Sequence, residues 1–171
     1  MQITIYDDFL HEVEFKKIES IFLGNRYPWY WTRVLYGTDV GEDYAECEEK
    51  YNWQLSSSIF INMRPICNSF DKLTQIINDP RLKIHSMCRV KANLNPLTDK
   101  HIRHGFHIDA PFDCMTGIYY VNTNNGWTEF DDGTKVDCVA NRMITFPSGM
   151  RHSGVTCTDT PSKIVINFNY F

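Results

Sequence analysis

The sequence predicts a mainly β domain with flanking helices, on three observations. Residues 82 to 95 set Leu82, Ile84, Ser86, Cys88, Val90, Ala92 and Leu94 against Lys83, His85, Met87, Arg89, Lys91, Asn93 and Asn95. Such strict alternation is what an extended strand presents to its two faces. Shorter runs at 116 to 121, 127 to 130, 142 to 146 and 163 to 170 follow at close intervals with turn signals between them, as in an all-β sandwich or barrel. Ahead of residue 82 the apolar spacing is helical instead, at Phe15, Ile18 and Phe22 and again at Ile66, Phe70, Leu73 and Ile77.

Composition bounds the rest. At 171 residues the chain reads as one domain, long enough to bury a core without staples. A hydrophobic share of 43% with 22% charged residues excludes wholesale disorder. A net charge of -4 and a pI near 5.8 give no global electrostatic case for nucleic acid. No apolar run approaches a membrane span, and the first eight residues lack a basic start and apolar centre, so no membrane partner and a cytoplasmic location are expected. The six cysteines are scattered, with no pair at the spacing of zinc or redox motifs, and read as reduced packing groups.

In chain order, Ile3 to Tyr6 alternates as a short strand. Asp7-Asp8 then offers capping side chains before a helix over residues 11 to 23, which Gly24-Asn25 ends. Tyr27-Pro28-Trp29-Tyr30-Trp31 gathers aromatics into a segment entering a strand that runs to Tyr36. Trp29 and Trp31 suit a substrate platform and equally a wedge between helix and sheet, because such rings bury large areas wherever they sit. Residues 37 to 50 carry Asp39, Glu42, Asp43, Glu46, Glu48 and Glu49 and read as an exposed acidic loop, at most a lid. Residues 57 to 63 form a strand, and Pro65 opens a second helix that runs to Asp79-Pro80. On the long strand that follows, Arg89, Lys91 and Asn93 share one face, towards a polar cavity or towards water. Asp132-Gly133 marks a hairpin turn.

The chemistry centres on His104-Gly105-Phe106-His107-Ile108-Asp109. In an extended segment His107 and Asp109 point the same way and can grip one metal ion. A histidine from a distant strand completes the set, and His152, after the strand at 142 to 146 and its Pro147-Ser148-Gly149 turn, is the candidate. Two imidazoles and one carboxylate on one face of an octahedral metal leave open positions, an arrangement suited to non-haem Fe(II) and oxygen chemistry. His104 is the rival ligand, but in place of His107 it would lose the two-residue spacing to Asp109. His11, His85 and His101 have no partner in sequence and read as structural or exposed.

Taken together, His107-Ile108-Asp109, Ile118-Tyr119-Tyr120-Val121-Asn122, Gly126-Trp127-Thr128-Glu129-Phe130, Asp132-Gly133, Thr145-Phe146-Pro147, His152-Ser153-Gly154 and Lys163 form a specific pattern. It resembles the Fe(II)/2-oxoglutarate-dependent oxygenases, in particular their prolyl-4-hydroxylase-like branch. The stretch Tyr119 to Asn122 and the ending Val165 to Phe171 look like the small single-domain oxygenases carried by bacterial viruses, which would put the protein in the cytoplasm of an infected host. The resemblance implies a double-stranded β-helix, the jelly-roll or cupin-like fold, over residues 82 to 171. Residues 1 to 81 would form an N-terminal two-helix support layer. It further implies His107, Asp109 and His152 as iron ligands and Lys163 as the group that binds the distal carboxylate of 2-oxoglutarate. Many relatives carry arginine there; lysine is a point charge without the bidentate fork, so Thr145 and Tyr119 are expected to add hydrogen bonds. Asn93 and Arg89 lie on a strand that in this family borders the cosubstrate. Arg89, His104, Trp29 and Trp31 are candidate substrate contacts.

The implied reaction consumes 2-oxoglutarate and dioxygen, releases succinate and carbon dioxide, and hydroxylates a C–H bond that the protein holds in place. The implied substrate is a prolyl or other side chain of a peptide, with a free amino acid, metabolite or nucleobase as the alternative. Nucleic-acid demethylase relatives usually carry a further arginine after the first basic residue. Here Lys163 is followed by Ile164-Val165-Ile166-Asn167-Phe168-Asn169, which disfavours nucleic acid. Two rival readings are a zinc hydrolase on the same ligands and a non-catalytic β-sandwich serving as a binding or viral structural module.

Overall fold

A computed structural model describes residues 3 to 35 and 46 to 171. The expected acidic loop lies, up to residue 45, outside the described residues. β1 (Thr4–Tyr6) leads into α1 (Glu12–Phe22), which buries the predicted stripe of Phe15, Ile18 and Phe22. β2 (Tyr30–Arg33), β3 (Trp53–Ile61) and β4 (Arg64–Pro65) precede a 3₁₀ turn at Phe70–Leu73 and the single helical turn α2 (Thr74–Ile77). Then come β5 (Met87–Pro96), β6 (Met115–Tyr120), β7 (Trp127–Phe130), β8 (Lys135–Asp137), β9 (Arg142–Pro147), β10 (His152–Val155) and β11 (Ser162–Tyr170).

Two expectations need correction. Pro65 does not open a helix, because Asn62 and Met63 take φ of 49° and 58° and turn the chain so that Pro65 pairs with Phe60. Helical geometry starts only at Phe70, and the two-helix support layer reduces to α1 and a short turn that buries Leu73 and Ile76. The long strand begins at Met87 rather than Leu82. Lys83 sits at φ 52°, and the amides of His85 and Ser86 both donate to the Phe171 carbonyl, which ties this segment to the chain end instead of extending the strand.

All strand pairs are antiparallel. The larger sheet runs β1-β9-β6-β11-β5-β3-β2 with β4 beside β3, and the smaller runs β10-β7-β8. Side chains alternate across each strand. One face of the large sheet therefore packs Val90, Ala92, Tyr119, Met143, Ile166 and Phe168 against Phe15, Ile18 and Phe22 of α1. The other face packs Ile118, Tyr120, Ile144, Phe146 and Val165 against Phe130 and Val136 of the small sheet. Each of the larger aliphatic and phenyl side chains among these contributes about 1.5–3 kcal/mol by leaving water. The second core fills only part of the space between the sheets, and the remainder holds the site. Among the described residues no helix is long and apolar enough to cross a membrane.

Candidate metal centre

The small sheet builds two corners of the site. The segment 103 to 107 runs beside β10 as a broken fourth strand, with bridges Arg103 to Val155 and His107 to His152. His107 and His152 exchange both backbone N–H···O bonds at 3.0 Å, so register holds their rings side by side with centroids 4.7 Å apart. Asp109 follows two residues later, its amide donating to the Ser148 carbonyl at 3.3 Å. One ligand atom from each of His107, Asp109 and His152 lies within 4.8 Å of the others.

Hydrogen bonding sets these groups up as metal donors. Nδ1 of His152 meets the Met150 carbonyl at 3.0 Å, and Nδ1 of His107 meets the Gly105 carbonyl at 3.3 Å. A carbonyl only accepts, so each Nδ1 carries the proton and each Nε2 keeps its lone pair. Nε2 of His152 is buried without a hydrogen-bond partner and stands 3.8 Å from Oδ2 of Asp109. An imidazole nitrogen stranded next to a carboxylate is costly unless something bridges them, and a cation does so. The residues present fit a divalent metal.

The large sheet braces the carboxylate. Arg89 on β5 donates to Oδ1 of Asp109 at 3.2 Å, and Thr116 on β6 donates to Oδ2 at 3.1 Å. Asn169 on β11 ties them together, accepting from Nε of Arg89 at 2.9 Å and donating to the Thr116 hydroxyl at 3.0 Å. Burial would raise the Asp109 carboxyl, but the Arg89 guanidinium and the Thr116 hydroxyl, with any positive charge held at His152 and His107, outweigh it and hold the group below its ordinary value. Asp109 is thus kept ionised, as a metal-ligating carboxylate would have to be.

Beside the triad opens a cavity of about 170 Å³, whose lining includes Arg89, Lys91, Asn93, Lys163 and Asn167. Lys163 is only 2% exposed. Its ammonium donates to the carbonyls of Trp127 and Val155 at 2.7 and 2.8 Å and also meets the Cys138 thiol. Burial pushes its pKa down, and the neighbouring thiols pull it back up. Gly154 leaves the ammonium uncovered: a Cβ there would lie 3.7 Å from Nζ. A carboxylate entering the cavity could reach it by taking the place of the Cys138 thiol.

Of the other sequence candidates, Arg89, Asn93 and His104 line the cavity. His104 is not part of the triad cluster; it is buried, and burial first and then the Lys163 charge push its pKa down to about 4, so it stays neutral. Tyr119 and Thr145 are not among the lining residues. Tyr119 sits in the core beneath α1, its hydroxyl on Asn141 at 2.8 Å, and Thr145 shares the face of Met143 in the same layer. Both point through the sheet, one residue out of phase with the cavity-lining Ile118. Trp29 packs on Tyr27 at 4.7 Å as a wedge at the end of α1. Trp31 is 65% exposed on β2, and neither tryptophan lines the cavity. Thr116, Asn167 and Asn169 were not singled out as site residues from sequence. The period of two, counted from Lys163 through 165, 167 and 169, was the signal for the last two.

No family model matches the sequence, and no curated protein matches it. Solved structures do match its fold. A 2OG-Fe(II) oxygenase family oxidoreductase from Burkholderia pseudomallei aligns over 98% of this chain and 84% of its own, with 13% identity and a TM-score of 0.70. A prolyl hydroxylase from Trichoplax adhaerens, in complex with a hypoxia inducible factor peptide fragment, aligns over 99% and 83%, with 16% identity and a TM-score of 0.65. The viral collagen prolyl hydroxylase of Paramecium Bursaria Chlorella virus-1, as its 2OG complex, aligns over 99% and 95%, with 14% identity and a TM-score of 0.58. The chain therefore has the jelly-roll fold of these oxygenases.

Proposed function

We propose that the protein is an Fe(II)- and 2-oxoglutarate-dependent dioxygenase that hydroxylates a C–H bond. The observation that carries this reading is the unpartnered Nε2 of His152, buried beside Asp109 and His107 in the same cavity as the Lys163 ammonium. His107, Asp109 and His152 would hold the metal, and Lys163 would hold the distal carboxylate of 2-oxoglutarate. Bound iron and cosubstrate would supply the oxidation: 2-oxoglutarate and dioxygen are consumed, succinate and carbon dioxide leave, and one oxygen atom enters the C–H bond. The protein's share is positional. The carbonyls of Gly105 and Met150 aim the imidazoles, and the network of Arg89, Asn169 and Thr116 fixes and ionises Asp109. The walls around Lys163 exclude water and strengthen its attraction for a carboxylate.

The substrate class that the fold suggests is a prolyl or other side chain of a peptide, since one matching structure is a prolyl hydroxylase holding a peptide. The test is succinate formation from 2-oxoglutarate, followed by mass spectrometry with Fe(II), oxygen and a peptide panel. Wild type should release succinate, and His152→Ala and Asp109→Ala should fall to background. A wild-type protein that binds iron and 2-oxoglutarate yet yields only background succinate would overturn the reading.

A further inference from the structure

The charged groups lining the cavity do not balance. Arg89, Lys91 and Lys163 stand against Asp109 alone. A divalent metal and the doubly negative cosubstrate would neutralise each other, so the surplus of positive charge would persist after both had bound. Only Lys163 is fully buried, with Arg89 and Lys91 half-buried, but a surplus of cations in a partly desolvated cavity is still unfavourable unless an anion joins them.

Lys91 is the cation with donors to spare. Arg89 is engaged by Asp109 and Asn169, and Lys163 by two carbonyls and a thiol. Lys91 projects from β5 between Ser58 of β3 and Asn167 of β11, yet among the described residues its ammonium makes no hydrogen bond and no ion pair within 4.0 Å. Burial and the Arg89 charge both act against it, and Asp109 is the one group favouring its charged form. Next to it, the carboxamide oxygens of Asn167 and Asn93 are also buried without partners. The face thus offers a cation for an anionic oxygen and acceptors for N–H or O–H groups.

We infer that the substrate presents a carboxylate to Lys91, with N–H or O–H donors beside it for Asn93 and Asn167. This rests on the oxygenase reading but not on its prolyl substrate, whose side chain carries no carboxylate: the substrate is instead a carboxylate-bearing molecule, a free amino acid or an acidic side chain of a peptide.

Ligand-observed NMR on the whole chain loaded with Zn(II), which does not react with oxygen, reports cosubstrate and substrate binding in one sample. The probes are L-proline against L-prolinamide, and acetyl-Ala-Asp-Ala-amide against acetyl-Ala-Asn-Ala-amide, each with 2-oxoglutarate present. The acid of at least one pair should bind and its amide should not; which pair responds distinguishes a free amino acid from a peptide side chain. Lys91→Gln should weaken the acid about ten- to a hundredfold, the loss of one charge-assisted hydrogen bond, while 2-oxoglutarate still binds. Lys91→Arg should restore much of the affinity. Equal binding of acid and amide, binding of neither, or indifference to Lys91→Gln would overturn the inference and leave the oxygenase reading standing. Loss of 2-oxoglutarate from Lys91→Gln would overturn it too, by giving Lys91 to the cosubstrate. Failure of the wild type to bind 2-oxoglutarate would overturn the oxygenase reading itself.

Discussion

The two faces of the large sheet are made by the same strands and behave as different materials. Towards α1, β5 shows Val90 and Ala92 and β11 shows Ile166 and Phe168, all fully buried in a dry layer. Through the sheet the same two strands show Arg89, Lys91, Asn93, Lys163, Asn167 and Asn169, most of them along a cavity. A chain under selection for stability alone would not bury charged and amide groups where apolar ones fit, since each must recover its lost hydration. The comparison separates what holds the fold from what the fold holds, residue by residue along one strand.

Mutations on the two faces should therefore separate stability from ligand affinity. The largest effect belongs to the dry face: Phe168→Ala should cost about 3–5 kcal/mol in urea unfolding, with the 2-oxoglutarate affinity of the folded fraction unchanged. Next is the buried His104, which lines the cavity. Its folded pKa of about 4 lies below the ordinary 6.5, so as pH falls the unfolded chain binds a proton that the native chain refuses. Its stabilising contribution is complete above pH 6.5 and is lost towards pH 4, on the order of 3 kcal/mol at most. Urea midpoints of the metal-free protein should fall across that window, and His104→Gln should flatten the fall.

On the cavity face, Lys163→Met should weaken 2-oxoglutarate binding by about 1.5–3 kcal/mol in calorimetry. The smallest effect is Tyr119→Phe, which removes the bond to Asn141 and should cost about 1 kcal/mol of stability with no change in 2-oxoglutarate affinity. A loss of affinity there would put Tyr119 back among the cosubstrate contacts and blur the division between the faces.

The sequence was most legible where one period ran uninterrupted. The alternation around Val90 and Ala92, the helical stripe of α1 and the spacing of His107 and Asp109 all reappear in the structure. What could not be read was phase. Tyr119 and Thr145 were expected to add hydrogen bonds to the cosubstrate beside Lys163, but parity turns them to the dry side, where Asn141 satisfies the tyrosine. The second helix failed for a local reason, since nothing in Asn62-Met63 announces that both take left-handed backbone and fold Pro65 into a hairpin. The partners of Asp109 come from three strands, and only pairing register brings Arg89, Thr116 and Asn169 to one carboxylate.

The most direct test of the central claim is anaerobic titration of the metal-free protein with Fe(II) and then 2-oxoglutarate, watching for the visible metal-to-ligand charge-transfer band of the chelate. The account predicts a band that saturates at one equivalent of iron, is lost in His152→Ala and needs far more 2-oxoglutarate in Lys163→Met. Iron binding without any band, or a band indifferent to both substitutions, would contradict it.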